Sequence, residues 1–274
     1  MRYGINIPNF GDYHDPSVLA MLAWEAEEAD WDGFFIWDHI HGDMPFGDPT
    51  VALAAIATRT EGIRFGAMIT PLARRRPWKV AREMVSLDQL SGGRLMMGVG
   101  LGNPPAEFEA FGEPASPRVR AEKLDEALEV ITGLWAGEPF SYQGEHFDVE
   151  EVTFLPKPLQ SPRIPIWVGG FWPNRAPMRR AARFDGVYPA RDWPDTLSVE
   201  DLREIIGYIQ GHRTGSGDFD VVAGGLTPGD PEKGAEIVEP WRAVGATWWS
   251  EDINGWRGSL DEMRERIRAG PPRA

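Results

Sequence analysis

Two histidines and an acidic residue come directly after a run of apolar residues near the N-terminus. Residues 34–42 read FFIWDHIHG, so Asp38, His39 and His41 follow a segment that is typical of a buried strand. A histidine titrates near neutral pH, so it can pass a proton to or from a substrate, and it is also a common metal ligand. This stretch therefore indicates either acid–base chemistry or a metal site.

Proton transfer by His39 is the favoured interpretation of this stretch. The alternative is a metal site made by His39, His41 and the nearby Asp38, Asp43 and Asp48, as in metal-dependent hydrolases. Such sites usually take further ligands from other strands, and the other three of the five histidines are poorly placed for that. We therefore predict no metal. A structural histidine that caps the loop is the third interpretation, and it is the favoured one for His41.

The composition excludes several classes of function. With a formal net charge of −14 and a pI near 4.8, the chain should repel nucleic acid and anionic membrane surfaces. Cysteine is absent, which excludes disulfides, thiolate metal sites and cysteine nucleophiles. No signal peptide and no membrane span is evident, so a cytoplasmic protein is expected.

Short apolar segments alternate with longer helical patterns along the whole chain, as in parallel βα units. The predicted strands are Tyr3–Ile7, Gly33–Trp37, Arg64–Met68, Arg94–Val99, Ile164–Val168, Asp185–Tyr188, Phe219–Gly224 and Ala246–Trp249. The predicted helices are Pro16–Ala29, Pro49–Arg59, Trp78–Leu90, Arg118–Trp135, Ala176–Arg183, Val199–Gly211, Pro231–Val244 and Ser259–Ala269. This pattern favours an α/β fold, a single (β/α)8 TIM barrel over residues 1–274, with loop insertions near 102–117 and 140–163. An open doubly wound sheet is the alternative.

In such a barrel, the active site lies at the carboxyl ends of the strands. This rule selects the polar and glycine-rich segments that follow the predicted strands. They are Asn6 and Asn9, Asp38 to Asp43, Met68 to Pro71, Gly100 to Asn103, Gly169 to Trp172, Arg191 and Asp192, Thr227, and Glu251 with Asn254.

Two glycine-rich segments on this list could hold a flat or phosphorylated ligand. GVGLGN, residues 98–103, is not the G-x-G-x-x-G fingerprint, but its glycines let a ligand approach the backbone closely. In VGGFWPN, Gly169 and Gly170 precede a helix, whose N-terminus can bind phosphate. Both segments are equally compatible with ordinary tight turns.

Five segments are similar to a known family. They are DGFFIWDHI, IRFGAMITPLARRRPWKVAREMVSLDQLSGGRLMMGVGLGN, VITGLW, PIWVGG and RIRAGPP. Together they resemble, over nearly the whole chain, the bacterial luciferase-like superfamily of flavin- and deazaflavin-dependent oxidoreductases. The resemblance implies a TIM barrel that binds FMN, or the deazaflavin coenzyme F420, at the carboxyl ends of its strands.

The resemblance also implies roles for individual residues. A non-prolyl cis peptide at Ala67–Met68 would bulge against the cofactor ring, and His39 would exchange the substrate proton or stabilise a flavin–oxygen intermediate. The residues implied in cofactor binding, with the last two at the phosphate, are Asp38, Ala67, Met68, Thr70, Gly100, Gly102, Asn103, Gly169 and Gly170.

The favoured function is an F420-dependent oxidoreductase that exchanges hydride with a small organic substrate. Asp38–His39 leans towards the deazaflavin group, and residues 74–76, three arginines, could meet the anionic tail of F420. Asn103 and Asp43 replace a glutamate and a tryptophan of the sugar-phosphate dehydrogenases, which argues against a sugar phosphate. The alternatives are an FMN-dependent monooxygenase supplied by a partner reductase, a metal-dependent hydrolase and a non-catalytic barrel. The resemblance further implies a homodimer.

Overall fold

Strands and helices alternate throughout residues 1–273, the part of the chain that the computed structural model describes. The strands are β1 (Arg2–Ile7), β2 (Gly33–Ile36), β3 (Arg64–Ala67), β4 (Thr70–Pro71), β5 (Met97–Gly100), β6 (Pro139–Gln143), β7 (Asp148–Thr153), β8 (Ile166–Phe171), β9 (Gly186–Ala190), β10 (Asp220–Gly225) and β11 (Trp248–Asp252). The α-helices are α1 (Pro16–Glu28), α2 (Pro49–Arg59), α3 (Pro77–Leu90), α4 (Ala106–Glu109), α5 (Pro117–Trp135), α6 (Arg175–Ala181), α7 (Val199–Gln210), α8 (Pro231–Ala243) and α9 (Leu260–Arg268).

Nine parallel strands form the barrel in the order β3-β2-β1-β11-β10-β9-β8-β5-β4. β3 and β4 follow one another along the chain and share one barrel position, which leaves the eight positions of a (β/α)8 barrel. Where β3 meets the segment before β5, the amide of Met96 donates to the carbonyl of Phe65 over 2.8 Å and closes the ring. The predicted TIM barrel is confirmed, and the open sheet is wrong.

The inside of the barrel is filled by large side chains rather than left as a pore. Trp167 lies 5.4 Å from Phe35 and 5.2 Å from Trp248, measured between ring centroids. Room for these rings comes from small neighbours: a Cβ atom on Gly33 would lie 2.8 Å from Phe35 and 2.9 Å from Trp248. The rings therefore form a packed floor beneath the carboxyl ends of the strands.

Several helices begin at the capping signals that the sequence carries. Asp15, Asp48 and Asp230 each cap a helix with proline in its first turn, and each carboxylate accepts an amide hydrogen bond. Ser198 and Ser259 form capping boxes at α7 and α9. No helix within residues 1–273 combines the length and the apolar content that crossing a membrane requires.

The structure corrects the prediction at two places. The predicted loop 102–117 contains the short helix α4. The last barrel strand does not end at Trp249 but continues to Asp252, so Glu251 lies within a strand instead of on a loop. Both differences change the composition of the site. The predicted insertion near 140–163 is present and begins with the antiparallel hairpin β6–β7.

Candidate active site

The site lies at the carboxyl ends of β1, β2 and β11, which are neighbours in the barrel. Asn6 of β1 is in register with Phe35 of β2 on one side and with Asp252 of β11 on the other. The loops that follow these strands carry Asn9, His39 and Trp256. The rule that places function at this face thus brings residues from both ends of the chain together.

His39 forms a pair with a carboxylate that lies 68 residues further along the chain. Its Nδ1 atom is 2.7 Å from Oε1 of Glu107. An ionised carboxylate can only accept a hydrogen bond, so Nδ1 carries the proton and neutral His39 keeps a lone pair on Nε2. The ring is 24% exposed, and no residue within 1–273 hydrogen-bonds to Nε2. His39 is thereby prepared to accept a proton from a bound molecule.

The backbone of His39 is held by Asn9, which is fully buried. The Asn9 side-chain amide donates to the carbonyl of His39 over 2.8 Å and to that of Gly47 over 2.7 Å. Its oxygen accepts the amide hydrogen of His39 at 3.1 Å. Three hydrogen bonds from one side chain thus fix the loop that carries the histidine.

Two arginines hold the acids behind His39. Arg74 donates to Oε2 of Glu107 over 2.5 Å and to Oδ1 of Asp38 over 2.9 Å, and Arg75 donates to Oδ2 of Asp38 over 2.7 Å. The carboxylates of Asp38 and Glu107 are 1% and 3% exposed. Burial alone would raise the pKa of Glu107, but the bonds from His39 and Arg74 outweigh it and lower this pKa. Glu107 is therefore a stable anion beside His39.

This network changes the interpretation of two predictions. Both oxygens of Asp38 are occupied by arginines, so its carboxylate supports the site from behind, and its contact with a cofactor ring stays a prediction. Of the three arginines predicted to meet an anionic tail, Arg74 and Arg75 bind these internal acids, whereas Arg76 is exposed.

Helix α4 places Glu107, which was not among the predicted site residues because residues 102–117 are rich in proline and glycine and were predicted to be a loop. Phe108, next to Glu107, is fully buried, with the guanidinium groups of Arg74 and Arg120 lying 5.8 Å and 4.8 Å from its ring centroid. Arg120 also donates to the carbonyl of Gly102 over 2.7 Å. A signal was present: residues 104–108 read PPAEF, and a proline followed by alanine and an acid can begin a helical turn.

The non-prolyl cis peptide lies at Met68–Ile69, one residue later than predicted. Met68 packs inside the barrel, in one cluster with Phe35 and Trp167. The side chain of Ile69 lies between two predicted cofactor residues: a Cβ atom on Gly100 would come within 2.8 Å of it, and one on Gly169 within 2.6 Å. Side chains larger than hydrogen are therefore not accommodated on either side of Ile69.

The remaining predicted cofactor residues occupy four different surroundings. Asp38, Ala67 and Thr70 line one small cavity between the barrel and helices α2 and α3. Gly102 has a φ of +81° and lies against Pro71 and Phe108, Asn103 is exposed, and Gly170 packs closely against Pro177 of α6. All of them lie at the carboxyl-end face, as predicted, and their contacts with a cofactor stay predictions.

Four aromatic side chains, which we call the aromatic wall, flank His39: Phe10, Trp37, Phe46 and Trp256. The ring centroid of His39 lies 5.6 Å from that of Phe10 and 5.7 Å from that of Trp37. Trp256 stacks on Trp37 at 6.2 Å and is 72% exposed. The wall gives the histidine an apolar side at the mouth of the barrel.

The side chains proposed as a metal site do not share a centre. Asp38 and His39 bind the arginines and Glu107, Asp48 caps α2, and His41 lies exposed against Phe111. Within residues 1–273, the acids and histidines that do come together are Glu122, Glu145 and His146, on α5 and the β6–β7 hairpin.

A second carboxyl group faces the barrel mouth from β11. Successive residues of a strand point to opposite faces, and Trp248 points into the barrel, so Ser250 and Asp252 do too. Asn6 donates to Oδ1 of Asp252 over 2.8 Å, and Trp37 donates to the oxygen of Asn6 over 2.8 Å.

Glu251, which the carboxyl-end rule had selected, points the other way. It is fully buried, accepts hydrogen bonds from Thr227 and Trp249, and pairs with Arg257 and Arg266. It therefore ties α9 to the barrel and does not face the mouth.

A family profile described as luciferase-like monooxygenase matches residues 1–268. An F420-dependent glucose-6-phosphate dehydrogenase of Microbacterium testaceum is 34% identical over 196 residues, covering 69% of this chain and 56% of that protein. An F420-dependent hydroxymycolic acid dehydrogenase of Mycobacterium tuberculosis is 30% identical over 283 aligned positions, covering 93% of this chain and 72% of that protein.

The chain spans 56% of the length of the curated relatives that it matches at 36% identity. Among solved structures, an F420-dependent secondary alcohol dehydrogenase in complex with an F420–acetone adduct has a TM-score of 0.82. The superposition covers 99% of this chain and 98% of that chain at 16% identity. At this identity the likeness shows the shared barrel fold.

Proposed function

Since the chain belongs to the luciferase-like monooxygenase family, we propose that it is an F420-dependent oxidoreductase that exchanges hydride with a small organic substrate. The observation that carries the proposal is the His39–Glu107 pair at the carboxyl end of β2. The two F420-dependent relatives support the choice of cofactor. FMN with a partner reductase is the alternative.

We propose that the flat ring of the cofactor lies over Ile69. Gly100 and Gly169 make room for this side chain, because a Cβ atom on either glycine would come within 2.8 Å of it, so Ile69 would meet the ring. The phosphate of the tail would lie near Gly170, at the start of α6. Arg175, the first residue of α6, has its guanidinium 3.9 Å from the ring centroid of Trp172 and adds positive charge there.

The residues of the chain handle the proton of the reaction. The bound deazaflavin supplies the site that accepts or donates hydride. When an alcohol is oxidised, Nε2 of His39 accepts the hydroxyl proton. Glu107 holds the ring in one orientation through Nδ1 and, as an anion, stabilises the charged imidazolium that results. In the opposite direction, His39 returns the proton to a carbonyl oxygen.

The mouth of the barrel suits an uncharged substrate with apolar surface. The aromatic wall offers contact area beside His39, and two arginines on loops at this face are neutralised. Arg191 pairs with Asp201 over 2.5 Å, and Arg257 pairs with Glu251 over 2.6 Å. A sugar phosphate would need free cations, so we propose an alcohol or ketone of apolar character.

Replacement of Trp256 by alanine tests the role of the aromatic wall. The Michaelis constant for such a substrate is expected to rise roughly 2–10-fold with little change in kcat, since a lost aromatic contact weakens ground-state and transition-state binding alike. Trp193→Ala is the control, because Trp193 is 89% exposed outside the wall. Equal effects of the two variants would contradict a wall that binds substrate.

Fluorescence titration of the purified protein with F420, and separately with FMN, tests the cofactor. Saturable F420 binding in the micromolar range or tighter is expected, with weaker FMN binding. Gly169→Val should abolish binding, because its Cβ atom would lie 2.6 Å from Ile69. Gly207→Ala is the matched control, since nothing lies within 4 Å of a Cβ atom there. Tight binding of FMN alone would overturn the deazaflavin assignment.

A further inference from the structure

We propose that Asp252 is a second proton-exchanging residue of this site, which holds a proton at the barrel mouth and releases it during turnover. This inference rests on the proposed function, because oxidation of an alcohol by a deazaflavin needs two proton transfers, one from the hydroxyl group and one to the reduced cofactor. His39 accounts for only one of them.

The geometry places the carboxyl of Asp252 where it can act. Asp252 is the last residue of β11 and points into the barrel, next to β1 and close to the aromatic wall. Its Oδ1 atom accepts from Asn6, whose oxygen in turn accepts from Trp37, and the ring of Trp37 lies 5.7 Å from His39. No residue within 1–273 hydrogen-bonds to Oδ2, and the side chain is only partly buried. Oδ2 therefore remains available to a bound molecule.

The surroundings of Asp252 raise its pKa above the ordinary value of 3.8, chiefly through burial. Burial raises its pKa, the hydrogen bond from Asn6 lowers it, Glu251 raises it and Arg257 lowers it, with a net result of about 6. Tyr188 of β9 also faces it, but the hydroxyl of Tyr188 lies 3.1 Å from Ser250, and burial raises the pKa of Tyr188. Asp252 is thus an acid that gains and loses a proton near neutral pH.

During the oxidation of an alcohol, Nε2 of His39 would accept the hydroxyl proton as the C–H bond of the alcohol breaks and its hydride is transferred to the deazaflavin. Asp252 would release its carboxyl proton to the reduced deazaflavin. His39 would then lose its proton to water and Asp252 would regain one from water. The alcohol would thus supply one hydride and one proton in sum.

A carboxyl titration of the ligand-free protein tests the protonation state directly. Aspartate carbon NMR should show one resonance with a midpoint of about 6 that is missing in Asp252→Asn. It should persist in Asp192→Asn, which removes an exposed acid at the same face. Absence of such a resonance, or its persistence in Asp252→Asn, overturns the proposal.

Single-turnover measurements with F420 and an alcohol test the catalytic role. Asparagine keeps the oxygen that accepts from Asn6, so Asp252→Asn should fold and bind F420 within about twofold of wild type, while hydride transfer slows about 10²-fold or more. Asp252→Glu should recover part of the rate, and unchanged hydride transfer in Asp252→Asn overturns the proposal. Failure of the wild type to bind F420 would instead overturn the proposed function, and with it the role of Asp252 in the redox reaction. The NMR titration, which uses the ligand-free protein, would be unaffected by that outcome.

Discussion

Replacement of His39 by alanine is expected to reduce turnover by about 10²–10⁴-fold while the affinity for the cofactor stays nearly constant. His39 is the one residue in this loop whose ring is both oriented by a buried carboxylate and open to the site. Alanine removes the proton acceptor but leaves the bonds that Asn9 makes to the backbone of residue 39. Steady-state kinetics and fluorescence titration of the same preparation separate the two effects.

His41→Ala provides the matched control for this experiment. His41 lies on the same loop, is exposed and contacts the edge of the Phe111 ring. Its loss should change turnover by less than about threefold. Comparable turnover in the two variants would assign His39 a structural role and move the acid–base chemistry elsewhere.

Replacement of Glu107 by alanine is expected to lower the free energy of unfolding by about 3–5 kcal/mol, because it leaves the buried guanidinium of Arg74 without one of its two carboxylate partners. Urea unfolding monitored by tryptophan fluorescence measures this change. Glu109→Ala is the control, since Glu109 lies on the same short helix but is exposed. Similar losses of stability in both variants would mean that the substitutions weaken helix α4 itself and that the ion pair with Arg74 contributes little.

The pH dependence of the same measurement identifies the carboxylate. The pKa of Glu107 is lowered in the folded protein from its usual 4.5, so its stabilisation is fully present above that pH and declines as the pH falls through the folded value. The stability difference between wild type and Glu107→Ala should therefore shrink in acid. A constant difference down to low pH would mean that packing, and not charge, accounts for the loss.

Glu107→Gln separates two roles of Glu107, its contribution to stability through Arg74 and its effect on the proton transfer by His39. The amide keeps the size of the side chain and can still accept from Nδ1, but it has no charge to stabilise a protonated imidazole. Turnover is therefore expected to fall with a smaller loss of stability than in the alanine variant. The pairing of His39 with Glu107 thus links the rate of reaction to a network that also holds Asp38 and two arginines.

Much of this arrangement was predictable from local pattern. The alternation of strands and helices, the capping residues and the position of Asp38 and His39 after an apolar strand depend on neighbouring residues, whose spacing the sequence displays directly. The carboxyl-end rule then gathered Asn6, Asn9 and His39 on one face, where the structure also places them.

The partners of these residues could not be predicted from the sequence. Glu107 reaches His39 across 68 positions of the chain because α4 folds back over the loop after β2, and no periodicity in the sequence encodes that contact. On β11, a strand that runs three residues further than predicted decides that Asp252 faces the mouth and Glu251 faces α9, because side chains alternate between the two faces of a strand. Local sequence pattern was enough to specify the barrel and the end of it that carries polar residues. Which acids meet His39 and the barrel mouth was decided by strand length and long-range packing, which local preference does not specify.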